Sequence, residues 1–156
     1  MTKLRFTALP TEPVRALQAG APDANGQPPE SVLATGGGNP CRHCLTMIEP
    51  GAPMLILAHR PFPAPQPYAE VGPIFLHAEA CEQAVPGPDL PEMLAAPDYI
   101  VRGYGANDRI VYSSGGVVAR ERIAARAAEL LADPAIAYVH IRSARNNCYQ
   151  CRVERG

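Results

Sequence analysis

Apolar positions in the second half of the chain recur with clear periods. Over residues 120–132, Ile123, Ala127, Leu130 and Leu131 fall at helical spacing while Arg122, Arg126 and Glu129 lie off that stripe, which predicts an amphipathic helix. Asp133-Pro134 ends it. Residues 136–142 and 148–154 carry β-branched and aromatic side chains on either side of Ser143-Ala144-Arg145-Asn146-Asn147, and predict a hairpin. Residues 99–104 and 109–112 flank Gly105-Ala106-Asn107-Asp108, whose turn chemistry predicts another. In the first half the apolar runs are shorter. Residues 54–58 and 74–77 read as strands between prolines, 3–8 as an edge strand, and 11–19 as a short helix capped by Thr11 with Pro13 in its first turn. Strands closed by tight turns, with one strong helix late in the chain, indicate an α+β fold on a mainly antiparallel sheet and disfavour a doubly wound parallel one.

Proline sharpens the contrast between the halves. Of 18 prolines, only Pro134 lies beyond Pro97, so the front half is loop-rich, with short strands and ordered connections. Residues 20–39 are rich in Gly, Pro, Asn and Ala and end near Gly36-Gly37-Gly38, the expected flexible segment. Pro61-Phe62-Pro63-Ala64-Pro65-Gln66-Pro67 reads as a short polyproline connection.

A chain of 156 residues, 47% hydrophobic and 19% charged, is the size of one domain and apolar enough for a core. No run approaches the roughly 18 apolar residues of a membrane span, and residues 1–10 lack the apolar core of a signal peptide. A cytoplasmic protein with no membrane partner is the expectation. The net charge of −1 and isoelectric point near 6.4 give no concentrated basic face, which speaks against nucleic acid and leaves a small molecule or a protein as partner. Thirteen arginines against one lysine carry no functional conclusion.

Candidate chemistry centres on cysteine and histidine. Five cysteines in a reducing compartment do not suggest a disulfide framework. Cys41 and Cys44 stand in Pro-Cys-Arg-His-Cys directly after the glycine tract, where a tight turn can point both sulfurs into one concavity. His77 and Cys81 can close a Cys₃His tetrahedron of the kind structural zinc prefers. The competing readings are a buried, inert Cys81 with a hydrogen-bonded His77, and a dithiol redox or thiol enzyme in which Arg42 and His43 activate Cys41 and Cys44 resolves it. Pro50-Gly51 follows too soon for the helix a thioredoxin-like dithiol needs, and no Cys-x-x-His motif completes a Rieske site. Cys148 and Cys151 share the same spacing but sit on a predicted strand, where residues three apart face opposite ways.

An even-length loop in the last hairpin would place His140 on one face with Cys151, Tyr138, Arg142 and Tyr149. Such a face is either solvated or the wall of a pocket in which Arg142 binds an anion and His140 moves protons. Tyr68 and Glu70, just before Gly72-Pro73, can contribute to that pocket. Gly36-Gly37-Gly38 lacks the Gly-Lys-Ser/Thr ending of a phosphate-cradling loop. Neither a Ser-His-Asp arrangement nor a carboxylate pair can be proposed from spacing, so a binding or structural role is favoured over catalysis.

Taken together, Pro-Cys-Arg-His-Cys-Leu at 40–45, Pro-Tyr-Ala-Glu-Val-Gly-Pro-Ile-Phe-Leu-His-Ala at 67–78 with Cys81 beyond, Arg102-Gly-Tyr to Arg109-Ile, and Tyr138-Val-His-Ile-Arg to Cys148-Tyr-Gln-Cys-Arg-Val form a specific pattern. From about residue 40 to 155 the chain resembles a bacterial family known only as a domain of unknown function. The resemblance implies a compact single-domain protein and groups Cys41, Cys44, Tyr68, Glu70, His77 and Cys81 with His140, Arg142 and Cys148. It implies no activity, substrate or ligand set.

Overall fold

The computed structural model describes residues 2–156 as two antiparallel sheets and two helices, an α+β arrangement. In chain order the elements are β1 (Leu4–Thr7), α1 (Thr11–Gln18), β2 (Glu30–Leu33), β3 (Pro53–His59), β4 (Gly72–His77), β5 (Asp98–Tyr104), β6 (Gly116–Ala119), α2 (Ile123–Leu131), β7 (Tyr138–Ser143) and β8 (Tyr149–Arg155). The larger sheet has the order β1-β8-β7-β5-β6 and the smaller one β2-β3-β4. Among the described residues no helix is long and apolar enough to cross a membrane.

One face of the large sheet packs against α2. Ile123, Ala127, Leu130 and Leu131, the stripe read from the sequence, are its buried residues. They meet Phe6, Tyr99, Val101, Val139, Ile141, Cys151 and Val153, the alternate positions of four strands. A single glycine is needed in this layer: a Cβ on Gly103 would stand 2.8 Å from Ile136 Cδ1. The small sheet packs Leu55, Leu57, Ile74 and Leu76 against Val14 of α1, and this second core also takes in Cys41 and, from the large sheet, Tyr149.

Several expectations are corrected here. Thr11 is the first residue of α1 and makes no side-chain cap; Pro10 holds the cap position, and the Thr11 hydroxyl points elsewhere. The strand expected at 109–112 shrinks to one bridge between Tyr104 and Ile110. Ser113 adopts a positive φ of 68°, and Ser114 Oγ takes over the Gly103 N–H at 3.0 Å, so pairing with β5 resumes only at β6. Within residues 20–39, where no strand was expected, β2 forms and pairs with β3.

The last hairpin corrects the expected face. His140 stands opposite Arg152 and Ile141 opposite Cys151, after which a bulge brings Arg142 opposite Tyr149. The extra residue in β8 flips Tyr149 relative to Cys151. Cys151 therefore lies in the α2 core, while Tyr138, His140, Arg142 and Tyr149 share the other face. That face is not solvated: all four are buried, His140 and Tyr149 beside α1, His59 and the Phe62 loop, Tyr138 against Phe62, and Arg142 under Glu70 and Asn147.

Candidate metal centre

The Pro-Cys-Arg-His-Cys segment folds as a tight knuckle. Cys41 N–H donates to the Thr46 carbonyl at 2.9 Å and Leu45 N–H to the Cys41 carbonyl at 2.9 Å, while Leu45 takes a positive φ of 57° to complete the turn. An isolated parallel bridge joins Cys41 to Phe75 and docks the knuckle on β4, whose last residue is His77. The loop beyond carries Cys81 and is held by α1. Gln18 Nε2 donates to the carbonyls of His77 and Glu79, both at 2.9 Å, and Arg15 donates to the Cys81 carbonyl. Local turn chemistry thus supplies two ligands, and tertiary contacts bring in the other two.

The ligand atoms of Cys41, Cys44, His77 and Cys81 all lie within 4.8 Å of one another, and the four can hold a metal ion. The sulfurs of Cys41 and Cys81 are 3.9 Å apart, and His77 Nδ1 is 3.4 Å from Cys44 Sγ. Two sulfurs bound to one tetrahedral zinc at about 2.3 Å would be separated by about 3.8 Å, so this spacing matches a shared ion. All five cysteines are free. Cys148 and Cys151 do not join the cluster: Cys148 Sγ turns toward the Asn146 carbonyl and Cys151 is buried under α2.

Every ligand is oriented from behind. His77 N–H points at Cys41 Sγ at 3.4 Å, Thr46 Oγ1 lies 3.2 Å from Cys44 Sγ, and His43 Nδ1 lies 3.1 Å from Cys81 Sγ. The far nitrogen of His77 faces Glu49 Oε2 at 3.4 Å, while Nδ1 faces the cluster. With Nδ1 protonated, His43 donates to the Cys81 sulfur, and its Nε2 lies 2.9 Å from the Thr11 hydroxyl, which also reaches Gln83 Oε1 at 3.1 Å. Burial, Arg15 and His77 hold His43 below its ordinary value, in favour of that neutral ring.

The cysteine pair shares its proton unequally. The neighbouring Cys44 thiol, together with backbone N–H groups, brings Cys41 down to about 7 against the cost of its burial, while the proximity of Cys41 and burial push Cys44 up to about 12. Arg42 is 2% exposed with no carboxylate on its guanidinium. Its Nε donates to the Tyr149 carbonyl at 2.8 Å and its Nη1 to the Pro40 carbonyl at 2.7 Å, and the group lies 5.6 Å from the centre of the Phe75 ring.

The other expected site residues lie elsewhere. Glu70 accepts from Arg102 Nη2 and Arg142 Nη2, each at 2.9 Å, and Arg142 Nε donates to Asn147 Oδ1 at 3.0 Å. The Tyr68 hydroxyl meets that of Tyr112 at 2.8 Å. His140 stands apart from these polar contacts, among the rings of Phe62, Tyr104, Tyr138 and Tyr149 at 4.7 to 5.3 Å between centres. Glu49, Thr46 and His59 carry no signal in the sequence, and Thr11 reads there only as a cap. No spacing rule connects a surface glutamate to a histidine 28 residues away.

The family described as Protein of unknown function (DUF1203) matches residues 38–155. The chain belongs to this family. The matched span contains all four clustered ligands and Thr46, Glu49 and His43, whereas Thr11, Arg15 and Gln18 precede it. No curated protein and no solved structure matches the chain.

Proposed function

We propose that Cys41, Cys44, His77 and Cys81 bind zinc as a structural clip, and that the protein is a zinc-clipped binding or structural domain. The observation that carries this reading is the pairing of each ligand with its own supporting group, from Thr46, His43, Glu49 and the His77 backbone. Three sulfurs and one imidazole leave no position for water, as in closed structural sites and unlike catalytic ones. Zinc prefers this soft donor set, and no hard oxygen ligand competes within it. An ion here would tie the knuckle to the end of β4, where the front half has short strands and a thin core. Its apparent binding free energy, on the order of 10 to 16 kcal/mol, is comparable with the whole stability of a domain this size.

The alternative of a redox or thiol enzyme on Cys41 and Cys44 is less well supported. An attacking sulfur must be reached by its substrate, and Cys41 is 0% exposed. The residue after the pair turns through a positive φ and opens no helix. The deciding experiment is metal analysis of protein purified without a polyhistidine tag. About one zinc per chain is expected, and under about a tenth of an equivalent would remove the reading.

A further inference from the structure

A cavity of about 720 Å³, lined by none of the four clustered residues Cys41, Cys44, His77 and Cys81, lies between α1, the end of β3 and the buried polar face of β7 and β8. It is within the usual size of a small-molecule site. Its lining combines apolar Pro13, Val14, Leu17 and Phe62 with His59, His140, Tyr149 and Arg152, and the Phe62 ring packs on His140 at 5.3 Å. Two buried ring nitrogens, Nε2 of His59 and Nδ1 of His140, have no hydrogen-bond partner among the described residues, and His140 is 1% exposed. Neither atom opens on the cavity as the rings stand; a buried polar nitrogen without a partner costs roughly 1–3 kcal/mol, so an occupant that either ring can meet by turning about its Cβ–Cγ bond relieves that cost.

Both imidazoles pack on one ring, with Tyr149 at 5.5 Å from His59 and 4.9 Å from His140. Tyr149 is also the residue whose carbonyl Arg42 holds. The charge around the cavity is unbalanced. Arg5, Arg60 and Arg152 line it against one carboxylate, Glu154, which pairs with Arg5 at 2.9 Å and Arg152 at 2.6 Å. Arg60 meets only the carbonyls of Phe62 and Pro63. Burial and the surrounding guanidinium groups hold both histidines below their ordinary value, so each ring is neutral and has one donor and one acceptor.

We propose that this cavity binds a small amphipathic organic anion, its apolar body against Val14, Leu17 and Phe62 and its acid group toward His59, His140 and Arg60. The occupant is a carboxylic acid or a similar singly charged acid with a ring or branched chain. The site is separate from the metal cluster and does not rest on the zinc reading.

Nitrogen-edited NMR of the histidine rings tests this on the full chain, with 2-naphthoate as the probe. Inorganic phosphate serves as an anion without an apolar body, and 2-naphthalenemethanol as the body without charge. Saturable shifts of the His59 and His140 ring signals are expected below about 10 mM naphthoate, with the two comparators at least about tenfold weaker. Arg60→Gln, a surface change that leaves both histidines in place, is expected to weaken naphthoate about fivefold or more. Metal content is measured before and after, so loss of the cluster cannot pass for loss of this site. The proposal is overturned by unsaturable or absent shifts in wild type, by equal binding of the alcohol, or by an unchanged affinity in Arg60→Gln.

Discussion

Arg42 Nε donates to the carbonyl of Tyr149 at 2.8 Å across 107 residues of sequence. The donor sits between two cysteines of the knuckle, and the acceptor opens the last strand of the large sheet. One buried guanidinium thus joins the metal cluster, the small sheet and the cavity face.

Replacing it should be costly. Arg42→Met leaves the buried Tyr149 and Pro40 carbonyls without their donors, at about 1–3 kcal/mol for each. Urea unfolding of the zinc-loaded protein is expected to show a loss of about 2–4 kcal/mol. A loss below about 0.5 kcal/mol would mean that water replaces the guanidinium and that this bridge does not hold the sheets together.

The cysteines should divide into two groups. Cys81→Ser is expected to bring zinc content from about one equivalent to below about a tenth and to lower the melting temperature sharply. Cys148→Ser, outside the cluster, should leave both unchanged. Equal effects of the two changes would contradict the assignment.

Glu49 tests the supporting groups separately from the ligands. Its carboxylate is exposed and touches His77 only through Nε2. Glu49→Gln should weaken zinc about 10- to 100-fold in competition with a chelator, yet retain one equivalent at saturation. Unaltered affinity would show the contact to be incidental.

Acid sensitivity should trace in part to His59. Burial first, then Arg42 and Arg60, hold it at about 4, against an ordinary 6.5. On acidification the unfolded chain takes up this proton before the folded one does, so stability is full above about pH 6.5 and falls toward pH 4, where the loss levels off. His140 is displaced in the same direction and adds to the loss. Between about pH 7 and 5, His59→Gln should flatten the decline in urea midpoint by the equivalent of about 1–2 kcal/mol. Zinc release contributes to both proteins and cancels in the comparison. Parallel curves would place His59 in water.

Glu70 is the one carboxylate shared by Arg102 and the buried Arg142. Because Glu70 is partly exposed, Glu70→Gln should cost only about 1–3 kcal/mol. Adding Arg142→Met should cost less than the sum of the separate changes, measured by a double-mutant cycle. Strict additivity would show that the carboxylate does not compensate that guanidinium.

Local chemistry accounts for what the sequence by itself determined. The Ile123, Ala127, Leu130, Leu131 stripe, the last hairpin and the Cys41/Cys44 knuckle depend on neighbours a few residues apart, where periodicity and turn preferences operate. His77 and Cys81 were also legible as candidate ligands, since metal sites of this kind admit few donor types. Only the tertiary structure decided which side chains support those ligands, because Glu49, Thr11 and His43 meet their partners through strand register and helix docking. It also decided which face the last hairpin buries. A single bulged residue sends Cys151 into the core and turns Tyr149 toward His59 and His140, and neither composition nor spacing along one strand encodes where its partner strand slips.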